Sequence, residues 1–522
     1  MKIMKNILLL AALSGGLTMT SCSGSFLDED MNPNYLSPAT FWKSEGDIMK
    51  GLTAAYGGMQ PNATWAVPFK RYIVIDNYRS DELLHRADVS SWMALANFTN
   101  DATNSVTSQE WTNLYKGINY ANQCIDNIPN VPESSSEVAS LKKQAIAEAR
   151  FLRAFYYYRL FINFGENLPI FLHQLEGTEE EFYPDQAAPG EVVKLIEKEL
   201  TEVQADLPEK YDADNGGRAT RYAAAALLGK FYMFRHELKK AEAEFKKLIG
   251  KFELVDNYYD NFDGMHENNK ESILEVQFTG DVSGGHSEYN VFAIHLASFN
   301  AIYNGYAGYE EAYPSKWLYN TLMADKTVEG KHSDRAIGTI IFDDPDCRPF
   351  YYEKGKSFSD YHKKGEYFWH KYVHYDPSQG PYWDNSGFNV PLIRYADVLL
   401  LYAECLNDRG ETAEAIGFIN QVRDRVNVPR LPLDMSKDAV LKHLQDVERP
   451  CELALEGSRW YDLIRWGIVA QALKDHGKPN CASFVAAKHT KLPIPHEEFL
   501  MNPDWKQLSL IHISEPTRPR LI

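Results

Sequence analysis

Apolar residues recur at three- and four-residue intervals over long stretches of this chain, the spacing of helices that bury one face. Between Thr107 and Ile128 the stripe is Trp111, Leu114, Tyr115, Ile118 and Ile125. Between Leu141 and Phe164 it is Ile146, Ala149, Phe151, Leu152, Phe155, Tyr156 and Leu160. The pattern then repeats itself: Arg221-Tyr222-Ala223 followed by Leu227-Leu228 returns as Arg394-Tyr395-Ala396 followed by Leu400-Leu401. Each copy passes through a short polar break, His236-Glu237 or Asp408-Arg409-Gly410. A second amphipathic segment follows, with Ala241, Phe245 and Leu248 in one copy and Ala415, Ile419 and Val422 in the other. Helix, tight turn and helix, with alanine where the two cross, is a tetratricopeptide-type unit that stacks to share a core. Such pairs are predicted near residues 105–164, 190–250, 393–426 and 437–474; the competing reading is a set of unrelated helical hairpins.

Residues 252–390 break this rhythm. Ser272 to Phe278 reads as a strand, as does Trp369 to Tyr375, whereas Gly280 to Tyr313 is rich in Gly, Asn, Tyr and Phe without a helical period. Long irregular insertions on a helical scaffold are commonly functional, and aromatic density argues against disorder. The expected fold is mostly α: about four tetratricopeptide-like helical hairpins, near 105–250 and 393–474, supporting an irregular, loop-rich lobe with a few short strands.

The first residues have a different pattern. Lys2 and Lys5 precede the apolar run Ile7 to Leu13, and Met19-Thr20-Ser21 leads into Cys22. A basic start, an apolar stretch too short to span a bilayer and small residues before a cysteine make a lipoprotein signal. Residues 1–21 would be removed, Cys22 would carry the lipid, and residues 22–35 would form a polar tether. Two or three acyl chains, at roughly 0.8 kcal/mol per buried methylene, hold a domain at a membrane without a spanning helix.

Composition narrows the partners. Of 522 residues 44% are hydrophobic and 24% charged, values of a folded globular protein. The formal charge of −18 becomes more negative once Lys2 and Lys5 leave, which argues against nucleic acid and for an uncharged or cationic ligand. Beyond Cys22 the cysteines are Cys124, Cys347, Cys405, Cys451 and Cys481, too scattered for a zinc pattern or a disulfide framework.

Motifs of catalysis are missing. The chain has no Gly-x-Ser-x-Gly elbow and no Gly-x-Gly-x-x-Gly, and Gly355-Lys356-Ser357 has Phe350 where a P-loop needs its first glycine. His266-Glu267 lacks a second zincin histidine, and His370 with His374 lacks a third ligand nearby. No cofactor, metal or catalytic residue is expected. What stands out is aromatic: 31 Tyr, 26 Phe and 10 Trp. A flat ring covers the apolar CH face of a sugar while Asp, Asn and Arg bond its polar edge. The loop 280–313 offers Tyr289, Phe292, Phe299, Tyr303, Tyr306 and Tyr309 beside His286, Asn290 and Asn304; region 76–92 offers Tyr78 and Trp92 beside Asp76, Asn77, Arg79 and Asp81. The ligand residues expected from this reasoning are Trp92, Asp81, Arg79, Tyr289, Tyr303, Tyr306 and Tyr309; the bland alternative is that these aromatics pack the loops onto the body.

Several segments resemble the SusD/RagB family of outer-membrane nutrient-binding lipoproteins. They are Glu148 to Tyr157, Phe164 to Pro169, Gly217 to Thr220, Pro391 to Asp397, Ala403-Glu404, Ile419 to Arg423, Glu448-Arg449, Glu452-Leu453, Glu456-Gly457, Arg459 to Leu463, Arg465 to Gly467, Leu492 to Pro495 and Asn502-Pro503. The resemblance implies a single domain over residues 36–507 and no catalysis. It implies an oligosaccharide ligand, a lipid-anchored place on the outer-membrane surface and a SusC-like TonB-dependent transporter as partner. The shared motifs are expected to serve helix packing, and the sugar contacts to lie on variable loops. Residues 508–522 match no family ending and read as a non-native tail. Two rival functions remain at this stage: a glycoside hydrolase acting on the same glycan, and a scaffold that binds peptide or protein.

Overall fold

The computed structural model describes residues 41–60, 67–175, 182–280, 289–300, 302–303, 306–347, 357–373 and 386–507. Cys22, the tether and residues 508–522 lie outside them.

The first helical pair is Ser105–Asn127 and Ser136–Phe164. Asn104 opens the former, its Oδ1 accepting from Val106 N at 3.0 Å and Thr107 N at 3.3 Å, and Ser135 opens the latter in the same way. The pair can approach closely because Gly117 has no side chain: a Cβ there would sit 2.7 Å from the Tyr156 ring. Glu191–Glu202 follows, and then the second pair, Arg221–Phe234 and Leu238–Lys246, where Gly229 gives way to the Phe245 ring in the same manner. The third is Tyr395–Arg409 with Thr412–Arg425, turned by Gly410 at φ +96°, a conformation that favours glycine. The two Arg-Tyr-Ala copies meet in space: Tyr222 and Tyr395 pack against Phe252 from either side of the repeat, with ring centroids 5.6 and 6.0 Å away.

The fourth unit differs from expectation. Instead of one hairpin, residues 437–475 form Lys437–His443, a π-helical turn Leu444–Glu448, Arg449–Leu453, Arg459–Arg465 and Val469–Asp475. Pro450 has no N–H to continue the helical ladder, and Gly457 at φ +73° turns the chain before Arg459. Among the described residues no helix is long and apolar enough to cross a membrane.

The lobe rests on two-stranded sheets: β1 (Leu83–His85) with β5 (Ala312–Pro314), β2 (Ser272–Val276) with β8 (Val390–Arg394), β3 (Ile302–Tyr303) with β4 (Tyr306–Ala307), and β6 (Ile340–Phe342) with β7 (Tyr367–Trp369). All four pairs are antiparallel. The strand expected over residues 369–375 stops at Trp369: His370 stacks on Tyr259, and Tyr372 turns at φ +61°. The loop 280–313 also contains a buried helical turn, Phe292–Leu296, too short for its stripe to show in sequence.

Buried ion pairs tie the body to the lobe and the body to itself, and several of their ions come from the shared motifs. Arg394 at the end of β8 pairs with Glu271, with Glu456 at 2.7 Å and with Glu452 at 3.2 Å. Arg335 reaches Asp325 at 2.7 Å and Glu448 at 2.6 Å; Arg449 links Asp397 and Asp462; Arg465 links Asp462 and Glu404. Lys371 of the lobe reaches Glu456 at 2.8 Å. Burying charge is costly unless each ion is matched, and here each arginine is met by at least one carboxylate.

Candidate functional site

The residues expected to hold a ligand part company in the structure. Trp92 is 2% exposed, with its ring 5.4 Å from Phe69, 5.9 Å from His295 and 6.2 Å from Tyr78. Asp81 is fully buried and accepts from Arg459 at 2.8 and 2.7 Å and from His476 at 2.7 Å. Burial alone would raise its carboxyl, but the Arg459 guanidinium and His476 outweigh that and hold it well below the usual range. Arg79 is 1% exposed, lies 4.7 Å over the Trp460 ring and donates to Ile75 O and Asn163 Oδ1. All three are buried in the described structure rather than presented to solvent, with Arg79 engaged through Nη2 while its Nε and Nη1 have no hydrogen-bond partner.

The loop tyrosines divide further. Tyr289 is half-buried against the core. Tyr303 and Tyr306 face each other in register in the β3–β4 pair, and their side chains lie outside the described structure. Tyr309 is half-buried, its ring edge-on to His295 at 5.2 Å.

A different set of aromatics reaches solvent. Phe299 is 48% exposed although it directly follows the buried run Val291 to Ser298. Its N–H donates to Glu310 Oε2 at 3.1 Å, and the guanidinium of Arg86 lies 5.1 Å from its ring centroid. Arg86 leaves the end of β1, where its N–H donates to Glu311 O at 3.0 Å. Its side chain pairs with Glu311 at 3.1 Å and with Asp88, and donates to Tyr309 O. Along β5, Tyr313 is half-buried, like Tyr289 and Tyr309, between fully buried Ala312 and Pro314, the alternation of a strand with one wetter face. The helix Lys316–Ala324, capped by Ser315 Oγ accepting from Leu318 N, then presents Tyr319. Tyr319 stacks on Tyr367 of β7 with centroids 4.0 Å apart, and Lys316 Nζ lies 4.8 Å over the Tyr319 ring.

Carboxylates border these rings. Burial raises the Glu310 carboxyl and nearby Glu366 adds to the rise, while burial lifts Glu311 to about 7 against the pull of Arg86. Glu366, Asp88, Lys316 and Lys363 are open to solvent in part or in full. Flat rings with hydrogen-bonding groups at their edges can stack on an apolar face and bond a polar rim.

Other candidates are closed. A cavity of about 90 Å³ within the body is lined by Asp76, Arg159, Lys230, Arg449, Tyr461 and Asp462 among others. It is well short of the roughly 300 Å³ and more of a small-molecule pocket. Its ions are paired, Arg159 with Asp76 at 2.7 Å and Lys230 with Asp397. Asp260, Asp263 and His266 bring three ligand atoms within 4.8 Å of one another, the one such group among the described residues. Asp263 is already occupied there, bonding His266 Nδ1 at 2.7 Å and the N–H groups of Met265 and His266.

Of the exposed set, sequence reasoning reached only Phe299, as one loop aromatic among several. Arg86, Tyr313, Tyr319 and Tyr367 were missed. The alternation around Tyr313 was one available signal; the Tyr319–Tyr367 stack joins residues 48 positions apart and had none.

Comparison with known proteins bears on the fold. A family model described as "SusD family" matches residues 349–507, and one described as "Starch-binding associating with outer membrane" matches residues 25–233. SusD-like protein P2 of Formosa agariphila is 25% identical over 505 residues, covering 93% of this chain and 96% of that protein. A SusD superfamily protein from Bacteroides vulgatus superposes with a TM-score of 0.77 at 26% identity, covering 90% of this chain and 100% of that one. A laminarin-binding SusD-like protein superposes with a TM-score of 0.71 at 28% identity, covering 88% and 98%. With matching models at both ends, relatives along nearly the full length and the same helical architecture, the chain belongs to the SusD/RagB family.

Proposed function

We propose that this protein is a glycan-binding lipoprotein that captures an oligosaccharide at the cell surface and passes it to a SusC-like TonB-dependent transporter. The observation that carries the reading is the aromatic face of the lobe, exposed Phe299 with the partly buried Tyr313, Tyr319 and Tyr367, edged by Glu310, Glu366 and Lys316. Rings and polar edges in that arrangement suit a sugar, whose CH faces stack while its hydroxyls bond the rim. The family supports it: one solved relative binds laminarin, and one matching family is described as starch-binding and outer-membrane associated. Anchoring through Cys22 supports a place at that membrane without a spanning helix. We read the protein as a binder, as its laminarin-binding relative is.

Calorimetric titration of the chain lacking residues 1–22 against starch, laminarin, xylan and mannan oligosaccharides tests this. The expected result is binding of at least one, weakened about tenfold, or about 1.4 kcal/mol, by Phe299→Ala. Absence of binding across the panel, or release of reducing ends by the pure protein, overturns it.

A further inference from the structure

Phe299 should not hold one position on its own. It sits at the exposed end of a loop, with a large ring free of the packing that fixes a core side chain, and a ring that wanders must be immobilised by whatever binds it. The structure supplies something to hold it. Arg86 projects from the end of β1 and touches this loop at three separate places: the Phe299 ring, the Tyr309 carbonyl and the Glu311 carboxylate. Asp88 grips the same guanidinium from its own strand end. The loop is also tied to itself, through Phe299 N to Glu310 Oε2 at 3.1 Å and Glu310 N to Ala297 O at 2.9 Å. Those ties fix the backbone; the ring is held by Arg86.

We infer that Arg86 is a positioning residue for the glycan platform: its guanidinium backs one face of the Phe299 ring and presents the other face, ready oriented, to a sugar. This rests on the proposed glycan-binding reading. A planar guanidinium suits the task better than an ammonium, because it can lie against a ring while its fork serves a carbonyl and two carboxylates at once. Arg86 is 27% exposed, its two Nη groups are taken by Glu311, Asp88 and Tyr309 O and its Nε is buried, so the inference gives it no sugar contact of its own.

The test is a double-mutant cycle on the chain lacking residues 1–22, using as probe the tightest binder among laminarihexaose, maltoheptaose and xylohexaose. Affinities come from calorimetry, and a thermal melt of each variant checks folding. Phe299→Ala is expected to weaken binding about tenfold and Arg86→Met about fivefold to tenfold. The double variant should bind no more weakly than Phe299→Ala alone, since nothing is left to position. Arg86→Lys, which keeps the charge and loses the plane, should fall between wild type and Arg86→Met. A merely structural arginine would lower the melting temperature in both backgrounds and leave affinity uncoupled to Phe299. Additive losses, or full affinity in a folded Arg86→Met protein, overturn the inference while leaving the glycan reading intact. Unchanged binding by Phe299→Ala overturns the platform and the inference with it. If Arg86→Met does not fold, Arg86→Lys and Arg86→Gln complete the cycle under the same criteria.

Discussion

Two parts of this molecule have nearly the same chemical composition and opposite fates. Residues 76–92 carry Asp76, Arg79, Asp81, Tyr78 and Trp92; the face built from residues 86, 299–319 and 366–367 carries Arg86, Glu310, Glu366, Phe299, Tyr313, Tyr319 and Tyr367. Both mix flat rings with charge, the mixture expected of a sugar site. In the first part the polar groups are claimed from within: Asp81 by Arg459 and His476, Asp76 by Arg159 and Tyr461, and the Trp92 ring by Phe69, Tyr78 and His295. In the second part the rings are half covered and the carboxylates only partly engaged. The difference lies in who supplies the partners. Arg459 is 378 positions from Asp81 in sequence, so no local pattern can reveal that the aspartate is spoken for.

The buried ion pairs have a pH signature, and it is the largest effect expected because several groups act together. Burial alone would raise Glu452, but Arg425, Arg394 and Arg335 outweigh it and hold its carboxyl down to about 2; Asp81, Asp397 and Glu448 are lowered likewise by their buried cations. A carboxylate whose folded pKa lies below its unfolded value contributes stability that is present above about pH 4.5 and lost as pH falls through the folded value. At Glu311 the sign reverses, as it does at Asp76 and Glu82 in the first region, whose carboxyls burial also raises. Glu311, lifted by burial to about 7, contributes stability below about pH 4.5 that is lost as pH rises through 7. Urea midpoints across pH 2–8 should therefore fall steeply between about 4.5 and 2. A flat acid limb would mean that the buried ion pairs do not hold the fold together.

Within that network Arg394 is the strongest single break. Arg394→Met keeps much of the stem and leaves Glu271, Glu452 and Glu456 facing one another in the interior, with Arg425 and Lys371 left to answer them. Removing one partner of a buried cluster costs about 3–5 kcal/mol. Chemical denaturation should show that loss, and any variant that remains folded should keep its glycan affinity.

Trp92→Ala tests the same region through packing rather than charge. Deleting a fully buried indole is expected to cost about 3–4 kcal/mol of stability and to leave affinity within about twofold. Strong loss of binding in a protein as stable as wild type would return Trp92 to the ligand site and erase the distinction between the two regions.

What could be read from the sequence follows from how local each signal is. The helical pairs near 105–164, 190–250 and 393–426 are set by three- and four-residue periodicity and by caps such as Asn104 and Ser135 within one turn of what they cap, and they appear where expected. The fourth pair is broken up around Pro450 and Gly457, whose effects compete with a stripe that looked continuous. In the lobe the periodicity is absent, and the decisive facts are pairings between distant strands: β1 with β5 across more than 220 residues, and β6 with β7. Those pairings turn Tyr313 and Tyr367 outward. Composition drew attention to the aromatics, whereas burial, which composition cannot see, sets Trp92 and Tyr78 apart from Phe299.

Tyr309 stands on the boundary and gives the smallest and sharpest test. Its ring meets buried His295 edge-on, which ties it to the core, while its carbonyl accepts from Arg86, which ties its backbone to the platform. Replacing the side chain by alanine removes the first link and leaves the second, because the carbonyl remains. The cost should be about 1 kcal/mol of stability, small because the ring is only half-buried, with glycan affinity changed by less than about threefold. Burial holds the His295 imidazole neutral, down at about 3, so its ring contact needs no charge and the stability loss should be the same at pH 6 and pH 8. Parallel melts and titrations of Tyr309→Ala and Phe299→Ala place the boundary. If Tyr309→Ala loses tenfold in affinity at unchanged stability, the platform extends inward along the loop past Glu310, and the division between packed and ligand-facing aromatics falls one residue group deeper.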